Sequence, residues 1–145
     1  MLDLVLAIAH HLLAFGLFGI LFAELMLVRP GMDIATVRRV AVIDLVFGAL
    51  AGLILVVGFA RATMAAKGWA YYEHNAVFWA KIGVFLVIGL LSAPPTISYI
   101  RWRKAAVAPT DAQVAGVRRL LHAEVALFAL LPALAAAMAR GYGQL

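Results

Sequence analysis

Four long apolar runs separated by short polar segments set the pattern of the chain, and each run carries only a few ionisable residues. The first covers residues 4–28, interrupted by His10, His11 and Glu24, and stops at Arg29-Pro30-Gly31. The second covers residues 40–60, with Asp44 as its one acid. The third covers residues 76–100 and contains Lys81 and the Pro94-Pro95 pair, and the fourth covers residues 120–138 and is closed by Arg140. Runs of roughly 19–25 residues, at about 1.5 Å per helical residue, match a hydrocarbon core of about 30 Å. The pattern therefore predicts an all-α integral membrane up-down four-helix bundle, with residues 1–145 as a single transmembrane domain. Residues 33–39, 61–73 and 101–119 are the expected connectors. Pro94-Pro95 is expected to bend or end the third helix and Pro132 to kink the fourth, because each removes a backbone donor and crowds the preceding turn.

Composition strengthens this picture. Of 145 residues, 66% are hydrophobic and only 13% charged, and the mean hydropathy is +1.03. Soluble domains are near 45–50% apolar and about 25% charged, so a soluble enzyme, a disordered chain and a coiled coil are all excluded. Lysine plus arginine exceed aspartate plus glutamate by 12 to 7, a net charge of +5. The bases flank the apolar runs instead of lining an exposed polar face, so they read as topology signals and not as a nucleic-acid surface. Arg29, Arg38 and Arg39 follow the first run, and Arg101, Arg103, Lys104, Arg118 and Arg119 follow the third. The middle connector has only Arg61 and Lys67. The positive-inside rule then places the two richer loops in the cytoplasm and both termini on the opposite side. Asp3 stands where a signal peptide has its positive residues, and the first run is too long for a cleavable apolar segment, so that run is expected to stay in the mature protein. With no cysteine, a disulfide, a thiolate-bound cluster and a c-type haem are excluded, leaving His, carboxylate, Met and backbone as ligands.

An ionisable residue inside a span costs about 2.5–3.5 kcal/mol on insertion scales and so calls for a partner or a task. The expected orientation sorts these residues into two layers. His10, His11, His74 and Lys81 fall toward the outer side; Glu24, Asp44, His122 and Glu124 fall toward the cytoplasmic side. At about 100° per residue, His10 and Glu24 return to within roughly 40° of one another, so they share a face that His11 does not. An inward Asp44 is expected to bring Gly48, Ala51 and Gly58 with it as a stripe of small residues, and Gly48 to Gly52 forms a GxxxG pattern.

Two readings of the outer layer are open. In one, His10 on the first helix and His74 at the start of the third are axial ligands of a single b-type haem, since imidazoles on two facing helices can approach both sides of one ring. The third helix must then start before His74, near Trp69, and His11 is the substitute if the face is wrong. Arg61 and Lys81 would balance propionate charge, with Trp79 and Tyr72 packed near the macrocycle. In the other, His74 belongs to an interfacial belt with Trp69, Tyr71, Tyr72 and Trp79, and His10 satisfies a local polar group. Lys81 then extends its side chain to the interface.

The inner layer also has two readings. Glu24, Asp44, His122 and Glu124 suit a proton-handling or metal-binding cluster, or they neutralise the arginines around them. Because His122 and Glu124 are two residues apart, they point to different faces and weaken a single metal site.

Three segments carry a family resemblance: the early helix with His10 that ends in Glu24-Leu-Met-Leu-Val-Arg-Pro30; Phe78-Trp79-Ala-Lys81-Ile-Gly83; and Arg118-Arg-Leu-Leu-His-Ala-Glu124. The chain resembles a family of small bacterial predicted membrane proteins and, more remotely, the HemJ class of protoporphyrinogen IX oxidase and the CopD copper-resistance membrane proteins. The resemblance implies a helical bundle in a bacterial inner membrane, with periplasmic termini, that binds haem b. His10 would be the first-helix histidine, Trp79 and Lys81 the Trp and Lys of the third span, and Arg119 with Glu124 the Arg and Glu near the last. The HemJ-type pattern has a histidine between its Trp and Lys and an Asn-Glu pair, where this chain has Ala80 and Ala123-Glu124, so His74 would replace the missing ligand. The function expected on this basis is electron transfer or redox chemistry, with protoporphyrinogen oxidation as its enzymatic form. The partners would be the lipid bilayer, a quinone, a porphyrin or a redox protein, and another copy of the chain. The alternative expectation is a metal or proton conduit, or an accessory membrane subunit.

Overall fold

The computed structural model describes residues 1–64 and 68–144, so Lys67 lies outside the described residues. Its helices are α1 (Leu2–Leu27), α2 (Ile34–Met64), the short α3 (Trp69–Glu73), α4 (Ala76–Ala105) and α5 (Asp111–Ala139). The four long helices have the length and apolar composition of membrane spans. They pack as an up-down ring in which α1 meets α2, α2 meets α4, α4 meets α5 and α5 meets α1, while the backbones of the diagonal pairs stay apart. The more extensive pairings are α1 with α2 and α4 with α5, as expected of two antiparallel hairpins joined by short loops.

The helices outrun the apolar segments that predict them. Residues 34–39, expected as connector, are the first turns of α2, and the expected polar connector 101–119 is mostly helix, with a turn only near residues 106–110. Hydrocarbon selects apolar side chains over about 30 Å, whereas a hydrogen-bonded helix continues through the interface until a cap stops it. The caps are local. Asp33 Oδ1 accepts the Thr36 N–H at 2.8 Å at the start of α2, and bonds from the Thr36 hydroxyl and N–H hold this exposed carboxyl below the usual aspartate range. Thr110 and Gln113 form a reciprocal capping box at the start of α5. Ala106, at φ +53°, ends α4. The prolines do not end their helices: α4 runs through Pro94 and Pro95, and α5 through Pro132. Each removes one backbone donor, a loss that packed membrane helices tolerate.

Packing is uneven along the bundle. At the end holding the α1–α2 and α4–α5 loops, the loop end, Leu17, Leu21, Val37, Val40, Tyr99, Val114 and Leu121 are almost wholly buried. At the opposite, terminal end, burial is sparse, with Ile54, Ala62, Asn75 and Phe78 as its main buried residues. Elsewhere large apolar side chains such as Phe15, Leu45 and Leu90 point outward, as lipid contact requires. The terminal end is closed by the C-terminal tail. Ala76 N–H donates to Gly143 O at 2.8 Å, and the Asn75 side chain donates to Tyr142 O at 3.2 Å and accepts from Phe78 N–H at 3.0 Å. Gly143 is required there: its φ is +86°, and a Cβ would fall 2.5 Å from Val77 Cγ2.

Candidate functional site

The sharpest polar feature lies in the tightly packed half, where all four long helices contribute. Glu24 from α1, Asp44 from α2 and Glu124 from α5 are 2%, 8% and 1% exposed. They are met by hydroxyls on one stripe of α4, Ser92, Thr96 and Tyr99, spaced four and three residues apart as a helical face demands. Ser92 Oγ lies 2.6 Å from Glu124 Oε2 and 2.9 Å from its own helix at Ile88 O. Thr96 Oγ1 lies 2.8 Å from Asp44 Oδ1 and 3.0 Å from Ser92 O. The Tyr99 hydroxyl donates to Glu24 Oε2 over a long 3.4 Å. The second oxygens of Glu24 and Glu124 are buried with no hydrogen-bond partner.

Among the described residues no cation pairs with these acids. Arg118, one of the flanking arginines, turns its guanidinium to the carbonyls of Leu25 and Val28. It thereby satisfies the orphan carbonyls at the C-terminal end of α1 and complements that helix's dipole. Neutralisation of the acids by the flanking arginines is therefore not the arrangement seen: among the described residues the one ion pair is His74 with Glu73, at 3.6 Å. Among the described residues, too, no three His, Cys, Asp or Glu side chains form a group able to hold a metal ion.

His122, expected beside these acids, stands apart. It is exposed, and its Nδ1 lies 2.7 Å from Arg118 O; two residues rotate the helix by about 200°, so burying Glu124 turns His122 outward. His10 shares the inward side of α1 with Glu24, whereas His11 is exposed, its Nδ1 2.7 Å from Ala7 O. The stripe that accompanies Asp44 consists of Phe47, Ala51 and Ile54. Gly48 and Gly52 face outward, while Gly58 receives the His10 ring, whose Cε1 sits 3.3 Å from where a Cβ would stand.

The terminal half gathers a second set of polar residues. His10, Arg61 and Lys81, from α1, α2 and α4, lie within electrostatic range of one another and are each partly buried. His10 Nδ1 and Arg61 Nε are buried without a partner. His74 is elsewhere, on the turn between α3 and α4, with its side chain 67% exposed and its Nδ1 3.1 Å from Ala70 O. No hydrogen bond or ring contact joins His10 to His74 among the described residues, and α3 touches α2 and α4 but not α1. Trp79 is exposed and donates its indole N–H to Glu73 O at 3.0 Å. Tyr72 packs on Tyr71 and Phe78, with ring centroids 5.2 and 5.5 Å apart. These rings, with Trp69, make an aromatic band at the terminal end of the kind that marks a membrane interface.

Sequence reasoning missed Ser92, Thr96 and Tyr99, and it named Arg118 as a neighbour of the acids and not as the group that binds the end of α1. The hydroxyl residues did carry a signal, a polar stripe inside an apolar run, but Ser and Thr satisfy themselves on their own helix and so draw no notice.

Residues 2–143 match the predicted membrane protein family DUF2214. The chain belongs to this family. No curated protein and no solved structure matches the chain, so the likeness to HemJ and CopD proteins remains one of short motifs. The family match spans all four long helices and both polar clusters.

Proposed function

We propose that this protein is a membrane proton conduit whose transfer groups are Glu24, Asp44 and Glu124. The observation that carries the proposal is a count of hydroxyl protons. Ser92 has one proton and two oxygen neighbours, Ile88 O and Glu124 Oε2. If the hydroxyl donates to its own helix, as serine and threonine do in membrane helices, the contact with Glu124 is a hydrogen bond only when the carboxyl supplies the proton. The same count at Thr96, between Ser92 O and Asp44 Oδ1, asks for a proton on Asp44. Protonated acids also account for the lack of counter-ions, because an unpaired buried carboxylate is far costlier than a hydrogen-bonded neutral acid.

Carboxyls joined through hydroxyls on a shared helix form a path along which a proton moves by short steps. Val37, Val114 and Val117 seal the cluster at the loop end, and the sparser packing lies at the terminal end. Exchange with water is therefore easier through the terminal half, and transfer across the membrane requires the loop end to open. The clustering of Arg29, Arg38, Arg39, Arg101, Arg103 and Lys104 at the loop end supports its cytoplasmic orientation. Proton handling fits the acids better than a metal site does, since they do not converge into a metal-sized group. The haem b reading draws no support from His74, whose imidazole is exposed on a turn and bound to its own segment.

The test is proton flux into liposomes containing the full chain, read with an entrapped pH-sensitive dye under an imposed membrane potential. Flux above that of empty vesicles, reduced at least about tenfold in Glu24→Gln and Glu124→Gln, is expected. Wild-type flux equal to that of empty vesicles, or unimpaired flux in both variants, overturns the proposal.

A further inference from the structure

The proton proposal leaves the terminal-end cations without a role. Arg61 and Lys81 are drawn toward one place from α2 and α4, and both lie within electrostatic range of His10 of α1. Lone cations near a membrane surface ordinarily extend to water. Here Arg61 Nε and His10 Nδ1 are instead buried with nothing to bond, and no acid pairs with any of the three among the described residues. The acids described at this end do not compensate: Asp3 is exposed in the first turn of α1, and Glu73 is engaged with His74. A buried guanidinium nitrogen that lacks an internal acceptor, beside an unpartnered imidazole and a lysine, is a setting in which an external anion binds, and a guanidinium fork suits the oxygens of a phosphate.

A second feature says what is attached to that anion. An open apolar groove of about 400 Å³ runs between α2 and α4, lined by Ala51, Gly52, Leu55, Phe85 and Gly89. It exists because Gly52 and Gly89 have no side chains, and a Cβ at either would meet nothing within 4 Å. Lys81 precedes Phe85 by four residues and Arg61 follows Leu55 by six, so the cations stand about 6–9 Å beyond the groove along the helices. That places the charge toward the membrane surface and the groove toward its middle, the order of a lipid's phosphate and its acyl chain.

We infer that the terminal half of the bundle is a binding site for an anionic phospholipid, with the headgroup phosphate held by Arg61, Lys81 and His10 and one acyl chain lying in the α2–α4 groove. One phosphodiester supplies the acceptors that Arg61 and His10 lack, and burying the chain supplies the apolar contacts missing between α2 and α4. Phosphatidylcholine carries the same phosphate behind its own cation and is a poorer match, so selection is by net headgroup charge.

Native mass spectrometry of the full-length protein, released from neutral detergent after incubation with defined lipids, tests this. Phosphatidylglycerol is expected to remain bound at least about fivefold more than phosphatidylcholine. The preference should disappear in an Arg61→Gln/Lys81→Gln variant, and total lipid retention should fall in Gly89→Leu, which fills open space and leaves the fold intact. Arg119→Gln, exposed at the other end, should change nothing. Equal retention of the two lipids, or a preference that survives the double variant, overturns the inference. So does a preference abolished by millimolar inorganic phosphate with Gly89→Leu behaving as wild type, which would make this a site for free anions. The proton-flux result does not enter any of these outcomes.

Discussion

Ser92 and Thr96 govern what their acid neighbours can be, because a hydroxyl placed between two oxygens has only one proton to give. Glutamine reproduces a protonated glutamate at Glu124, since its amide donates to Ser92 Oγ where the acid would. Glu124→Gln should therefore leave stability within about 1 kcal/mol of wild type. Ser92→Ala, which strands a buried Glu124 oxygen already 2.6 Å from its only partner, should cost about 1–3 kcal/mol. Thermal unfolding in detergent separates the two, and the opposite order would mean that Glu124 is ionised. The acids of this cluster were legible in the sequence because a charge-bearing side chain inside an apolar run has few innocent explanations. The rotation of α5 also separated Glu124 from His122 in advance. Tyr99 was not legible, since an aromatic near a span end reads as part of an interfacial belt until its helix face is known.

Where each element begins and ends was the least legible level. Apolar runs report the hydrocarbon thickness, and the polar turns beyond it, residues 34–39 and 101–105, look like connector although they are helix. The return of the C-terminal tail to the start of α4 has no sequence signal beyond closely spaced glycines, of which two behave differently. Gly141 and Gly143 both have positive φ, +84° and +86°, but a Cβ on Gly141 meets nothing within 4 Å whereas one on Gly143 strikes Val77. Gly141→Ala should cost about 1–2 kcal/mol, the price of the left-handed conformation alone. Gly143→Ala should cost more, about 2–4 kcal/mol, because the tail must also lift from Val77 and release Ala76 N–H. Thermal unfolding of the two single variants gives the comparison, and equal losses would show that the tail does not dock as described.

On the scale of the whole molecule, the bundle divides into a sealed half around three acids and a looser half around three basic groups. Position along the apolar runs gave both layers their depth and periodicity named candidates in each, without deciding which faces meet. Facing is set by how four helices pair around the ring, and the mutual approach of α1, α2, α4 and α5 is a property of no single segment. The proposed proton path requires Asp44 and Glu124 to be neutral acids at the meeting point of those helices. Infrared spectroscopy of the protein in lipid vesicles at neutral pH addresses it directly, because a protonated carboxyl absorbs apart from a carboxylate and from the amide backbone. A protonated-carboxyl band is expected that survives exchange into neutral buffer and loses part of its intensity in Asp44→Asn and a further part in Glu124→Gln. A spectrum with no such band in the wild-type protein, or one that neither substitution diminishes, contradicts it.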